Sequence, residues 1–179
     1  MKEIESVAII GLGAVGINFA HCLRKHLPKE QVRIVADQER IHRYQSEGVY
    51  YNDIRCDFAY VSDHQKMEAA DLVIFATKAY ALEDAILSMS SQIGNDTLIM
   101  SAINGITSET ILAEHVPAEN ILYTIAQGMD ATKTNNRVIC HHMGQLCFGA
   151  VSDAQIPKVM RVARFFDRCG FPYTIKKDI

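Results

Sequence analysis

The chain has 179 residues, 49% hydrophobic and 22% charged, with a formal net charge of −3 at pH 7. That composition supports a real core and gives no case for disorder. The acidic balance argues against a non-specific nucleic-acid binder or a protein lying on anionic membranes, and the apolar runs are too short to span a bilayer.

The first apolar run, Val7–Ile10, is continuous, as in a strand buried on both faces, and it is read as part of the fold and not as a signal peptide. From Ala14 the apolar positions Ile17, Ala20, Leu23 and Leu27 recur at helical spacing until Pro28. Residues 31–37 predict a second strand and residues 38–47 a short helix stopped by Gly48. Residues 70–77 predict a buried strand, 81–93 a helix closed by Gly94-Asn95, and 97–102 another strand. Residues 108–116 predict a helix with Ser108 as N-cap, and 120–126 a strand. Residues 136–150 read as two strands joined at Met143-Gly144, a hairpin. A helix over 155–168 ended by Cys169-Gly170 and a short strand over 172–176 complete the pattern. Strand and helix alternate over the first 125 residues or so, which predicts an α/β fold with a doubly wound, mostly parallel sheet. No repeat, low-complexity tract or flexible linker interrupts it.

Five cysteines (Cys22, Cys56, Cys140, Cys147, Cys169) form no C-x-x-C pair and read as reduced, structural thiols of a cytoplasmic protein. His141 and His142 are adjacent, so on a strand they face opposite ways, and no metal site is expected.

Three of the ten glycines fall within six residues, in "GLGAVG" (Gly11, Leu12, Gly13, Ala14, Val15, Gly16), between a strand and an amphipathic helix. In that context the first glycine permits a tight turn, the second a close approach to a pyrophosphate, and the third close helix–strand packing; the helix N-terminus faces the anion. This is the dinucleotide-binding arrangement of a Rossmann-type fold. Asp37 ends the second strand, 21 residues after Gly16, where a carboxylate accepts the adenosine ribose hydroxyls and repels a 2′-phosphate. The alternative is that the same residue only caps the next helix. Arg40, three residues on, is either a phosphate ligand or a solvated helix charge. Thr77-Lys78 and Asn104-Gly105 follow two further strands, at the strand ends where ligands bind in open α/β sheets. Lys78 offers charge and donors, Asn104 a paired donor and acceptor; alternatively they are a loop cation and a simple turn.

The pieces "GLGAVG", "TKAY", "NGI" and "GQLCFGA", in this order and spacing, resemble the N-terminal domain of the ketopantoate reductase (2-dehydropantoate 2-reductase) family over essentially the whole chain. The resemblance implies NADPH-dependent reduction of a small branched 2-oxo acid to its hydroxy acid, on the way to pantothenate and coenzyme A. It implies that Gly11 to Gly16 hold the pyrophosphate. Lys78 and Asn104 would lie near the nicotinamide ribose and the substrate, as the catalytic residues of this domain, and Met129 would make a backbone contact to cofactor. Two departures stand out. Asp37 occupies the place where the family commonly has an arginine for the 2′-phosphate, which argues for NAD over NADP. The helical second domain that carries the family's general-acid lysine is expected beyond Ile179; Lys176 and Lys177 are not given that role. Residues 1–179 are therefore expected to be one dinucleotide-binding domain, inactive alone. The alternatives are a related NAD-linked hydroxy-acid dehydrogenase and a non-catalytic dinucleotide-sensing module. Expected partners are a 2-oxo acid and, with oligomeric state open, a second subunit in a homodimer; nucleic acid and membrane are not expected.

Overall fold

A computed structural model describes residues 2–63, 65–105 and 107–179; Ile106 of the "NGI" motif lies outside them. In chain order the elements are β1 (Val7–Ile10), α1 (Ala14–Arg24), β2 (Val32–Ala36), α2 (Gln38–Glu47), β3 (Tyr50–Tyr51), β4 (Ile54–Arg55), β5 (Ala59–Ser62), β6 (Leu72–Phe75) and α3 (Leu82–Ser88). There follow β7 (Leu98–Ser101), α4 (Ser108–Ala113), β8 (Ile121–Gln127), β9 (Asp130–Thr134), β10 (Arg137–His142), β11 (Gln145–Gly149), α5 (Ile156–Arg168) and β12 (Tyr173–Lys176).

Eight strands form one sheet in the order β12-β11-β8-β7-β6-β1-β2-β5. From β5 to β8 every pair is parallel; β11 then runs antiparallel to β8, and β12 parallel to β11. The continuous apolar runs of β1 and β6 follow from burial on both faces. Val7, Ile9, Leu72 and Ile74 enter one core with α1, α2 and α5, while Ala8, Ile10, Val73 and Phe75 enter the other with α3 and α4. Each fully buried large apolar side chain contributes about 2 kcal/mol, so packing and not propensity sustains helices as short as α3 and α4. This is the expected Rossmann-type fold. Among the described residues no helix is long and apolar enough to cross a membrane.

Four other strands make a small sheet, β4-β3-β10-β9, lying against α1. His21 of α1 stacks on Tyr51 of β3 with ring centroids 4.1 Å apart. Here the structure corrects the expected pairing. A C-terminal hairpin, helix and strand are present, but the hairpin is β9–β10, turning at Asn135-Asn136 with Asn135 at φ +52°. The strands flanking Met143-Gly144 do not pair: β10 belongs to the small sheet and β11 to the large one, beside β8. Two smaller corrections concern helix ends. Thr107 occupies the N-cap position of α4, and Ser108 is its first helical residue, donating to Glu109 Oε2 at 2.7 Å. The helix α1 ends at Arg24, before Leu27, and α3 stops at Ser88 and continues only as a 3₁₀ turn.

Candidate functional site

The parallel strands β1, β2, β6, β7 and β8 all end at one edge of the sheet, and the turn from β1 into α1 sits near its centre. The three glycines of that turn are not equivalent. Gly11 has φ +99°, and a Cβ there would lie 2.7 Å from the Ala76 carbonyl oxygen. A Cβ on Gly16 would lie 1.9 Å from the Gly11 carbonyl oxygen, so the helix packs directly on the turn. Gly13 has ordinary backbone angles (φ −71°), and a Cβ there would meet only the Ala76 carbonyl oxygen, at 3.7 Å. Contacts within the protein account for the first and third glycines but not for the second. No side chain caps α1, so the amides of its first turn are left to an anion.

Beside this turn lies a cleft of about 200 Å³, lined by Gly11 and Leu12, by Asp37, Arg40 and Tyr44 from β2–α2, by Asp63 after β5, by Thr77 after β6, and by Ala81, Asp84, Ala85, Ser88 and Met89 around α3. Asp37 is the N-cap of α2: its Oδ1 accepts the Arg40 backbone N–H at 2.7 Å, and its Oδ2 lies 3.2 Å from Arg40 Nε. The two residues expected to compete for the ribose and its phosphate thus bind each other. The pair is exposed and therefore weak, about 0–1 kcal/mol, whereas the cap is worth about 1 kcal/mol. Displacing Arg40 frees Oδ2 for a hydroxyl at little cost. Asp63 and Asp84 also line the cleft. The Thr77 hydroxyl, also on the cleft, is buried with no hydrogen-bond partner. An uncapped helix start, a glycine that no protein atom requires, a carboxylate on the cleft at the end of β2 and an orphaned hydroxyl together fit a dinucleotide.

Of the expected site residues, the cleft gathers Gly11, Leu12, Asp37, Arg40 and Thr77, with Gly13, Ala14, Val15 and Gly16 in the adjoining turn and first helical turn. Lys78 and Asn104 do not line it. Both are exposed, on loops following β6 and β7, which are neighbours in register Phe75↔Ser101, so they share the same sheet edge. Met129 sits further along, in the β8–β9 connection, half-buried. Lys176 is different. It registers with Gly149, and Gly149 with Tyr123 near the start of β8, which puts Lys176 and the following Lys177 at the opposite edge of the sheet. Tyr44, Asp63, Ser88 and Met89 were not expected. Asp63 closes a strand, residues 59–62, in which only Val61 is fully buried, so hydrophobic runs did not reveal it.

A 2-dehydropantoate 2-reductase from Halobacterium salinarum is 29% identical to this chain over 116 residues, 64% of the chain and 37% of that relative. Among solved structures, D-mandelate dehydrogenase in complex with NADH superposes with a TM-score of 0.82 at 24% identity, covering 97% of this chain and 56% of that one. A dimeric ketopantoate reductase from Staphylococcus aureus gives 0.72 at 22% identity, covering 97% and 60%. The chain thus covers about a third of that curated relative and little more than half of these solved structures. The family model described as ketopantoate reductase PanE/ApbA matches residues 7–153. This chain, with its glycine turn and cleft at the carboxyl edge of a parallel sheet, belongs to the ketopantoate reductase family.

Proposed function

We infer that residues 1–179 act as the dinucleotide-binding unit of a reductase of small 2-oxo acids, with NAD(H) preferred over NADP(H). The observation that carries the cofactor preference is Asp37 at the end of β2, lining the cleft beside the glycine turn with Oδ2 held only by an exposed arginine. When bound, the nicotinamide supplies hydride; the protein's part is to bind and orient. In this reading the α1 turn receives the pyrophosphate, Asp37 Oδ2 a ribose hydroxyl, and the Thr77 hydroxyl a further polar group. Lys78 and Asn104 reach over the nicotinamide ribose and the substrate carboxylate and ketone, on the sheet edge they share with the turn. Neither Lys176 nor Lys177, on the far edge, serves as proton donor. 2-Dehydropantoate is the first substrate to try, on family grounds. The NADH complex of the D-mandelate dehydrogenase neighbour, read with Asp37, supports an NAD-linked 2-hydroxy acid couple as the second reading. The homodimer of the Staphylococcus aureus relative is the assembly to test first.

Calorimetric titration at one ionic strength tests the cofactor assignment: NADH should bind at least about tenfold more tightly than NADPH, a difference of about 1.4 kcal/mol. Asp37→Ala should narrow or invert that ratio by releasing Arg40. Tighter NADPH binding by the unaltered chain would overturn the preference and hand the adenosine end to Arg40.

A further inference from the structure

Because Gln127 at the end of β8 lies opposite Gln145 at the start of β11, the connections leaving one strand and entering the other emerge side by side. They do so at the edge that carries the glycine turn, Lys78 and Asn104. Each contains a glycine in the left-handed region, Gly128 at φ +72° and Gly144 at φ +71°. The two are pressed together: a Cβ on Gly144 would lie 2.5 Å from the Gln127 carbonyl oxygen and 2.7 Å from the Met129 nitrogen. Among the described residues no backbone hydrogen bond outside the strand ladder joins them.

His142 does. Its Nδ1 is 2.6 Å from the Gly128 carbonyl oxygen and 3.1 Å from the Gly144 backbone nitrogen. One nitrogen cannot donate to a carbonyl and accept from an amide at once, so the tautomer decides which turn it bonds, but the ring spans both. On the other side Asn18 of α1, almost wholly buried, donates its Nδ2 to the Met143 carbonyl at 2.9 Å and accepts from the Cys140 thiol. A line of contacts therefore runs from the nucleotide-binding helix through Asn18 and Met143 to His142 and the Gly128–Met129 backbone. His142 is exposed and adds nothing to either core, so holding this junction is what its side chain visibly does.

We propose that His142 is a positioning residue: it holds the Gly128–Met129 backbone as the rim against which the nicotinamide half of the dinucleotide lies. This rests on the cofactor reading above. With the pyrophosphate at Gly13 and the adenosine over β2, the other half of the ligand extends across β6 and β7 toward β8, by the strand order β2-β1-β6-β7-β8.

The test compares NADH with ADP-ribose, which keeps the adenosine and pyrophosphate but lacks nicotinamide, by calorimetry on this chain. His142→Ala should weaken NADH about tenfold and leave ADP-ribose within about twofold. His142→Asn, whose amide places a donor where Nδ1 sits, should restore NADH to within about threefold, whereas His142→Gln should not. Equal weakening of both ligands, or unchanged NADH affinity in His142→Ala, overturns the assignment. Should the alanine variant not fold, the Asn and Gln variants decide it alone. If the unaltered chain binds neither ligand, the cofactor reading has failed and this proposal falls with it. If it binds both and the variants do not discriminate, only the role of His142 is lost.

Discussion

At Gly16 one added methyl group would meet a backbone oxygen at 1.9 Å, and at Gly13 nothing nearer than 3.7 Å. The two glycines should therefore respond differently to the same substitution. Gly16→Ala forces α1 off the turn and should cost about 3 kcal/mol or abolish folding. Gly13→Ala should lower the ligand-free melting temperature by no more than about 4 °C, because with ordinary backbone angles and open space the N-cap change costs under about 1 kcal/mol. It should nevertheless weaken NADH at least about tenfold by pushing a methyl group toward the pyrophosphate. Melting curves and calorimetry on the two variants check both halves. A pair of equal losses would mean that the second glycine is structural after all. At this scale the motif was legible because it is a matter of local sterics. The Asp37–Arg40 pairing was not, because both expected roles of Asp37 require the same position and differ only in where its oxygens point.

At the scale of elements, the far edge of the sheet is held by Asp71, the residue just before β6. Its Oδ2 accepts from the Glu5 and Ser6 amides and the Ser6 hydroxyl, each at 3.0 Å, while Oδ1 lies 3.3 Å from Lys2 Nζ and 3.6 Å from Arg161 Nη2. Burial by itself would raise its pKa, but those donors outweigh burial and hold the carboxyl below the usual range. A depressed folded pKa means stability that is complete above the ordinary carboxylate pKa and is lost as pH falls through the lower, folded value, below about pH 4. Asp71→Asn should cost about 3 kcal/mol at pH 7, since Arg161 is only 5% exposed and loses its counter-charge. It should also flatten the acid limb of the stability curve. Urea unfolding at pH 7 and pH 3 measures both; equal acid sensitivity in the two proteins would remove Asp71 from that account. Elements were mostly legible where both faces are buried. The short strands β3, β4, β5 and β9, in which only Val61 is fully buried, carry too little apolar pattern to be seen. The misassigned hairpin has the same origin: alternation shows that 137–142 and 145–149 are strands, but pairing partners depend on contacts distant in sequence.

For the whole molecule, the eight-stranded sheet leaves β12 at one edge, and around it Val151, Ile156, Met160 and Ile175 expose apolar surface about a groove of about 330 Å³ with Lys176 and Lys177 at its rim. Contiguous apolar surface of this kind drives association. The 179-residue chain should therefore self-associate as its concentration rises, and Ile156→Glu combined with Met160→Glu should return it to a monomer. Light scattering across a concentration series decides this, a monomer throughout for the unaltered chain being the contrary result. Because this face lies away from the glycine turn, the double variant should bind NADH as the unaltered chain does.

Hydrophobic period and glycine placement were enough to determine the α/β class and the strand-turn-helix cradle, and the motifs ending the parallel strands carried the resemblance to the family, because each is written in a few neighbouring residues. The tertiary structure alone decided that Asp37 pairs with Arg40, that the Thr77 hydroxyl is buried without a partner, that Lys176 lies on the wrong edge, and that His142 spans two glycine turns. Each of these depends on strand order and direction, so on which distant segments meet, and that is settled by the packing of the whole sheet.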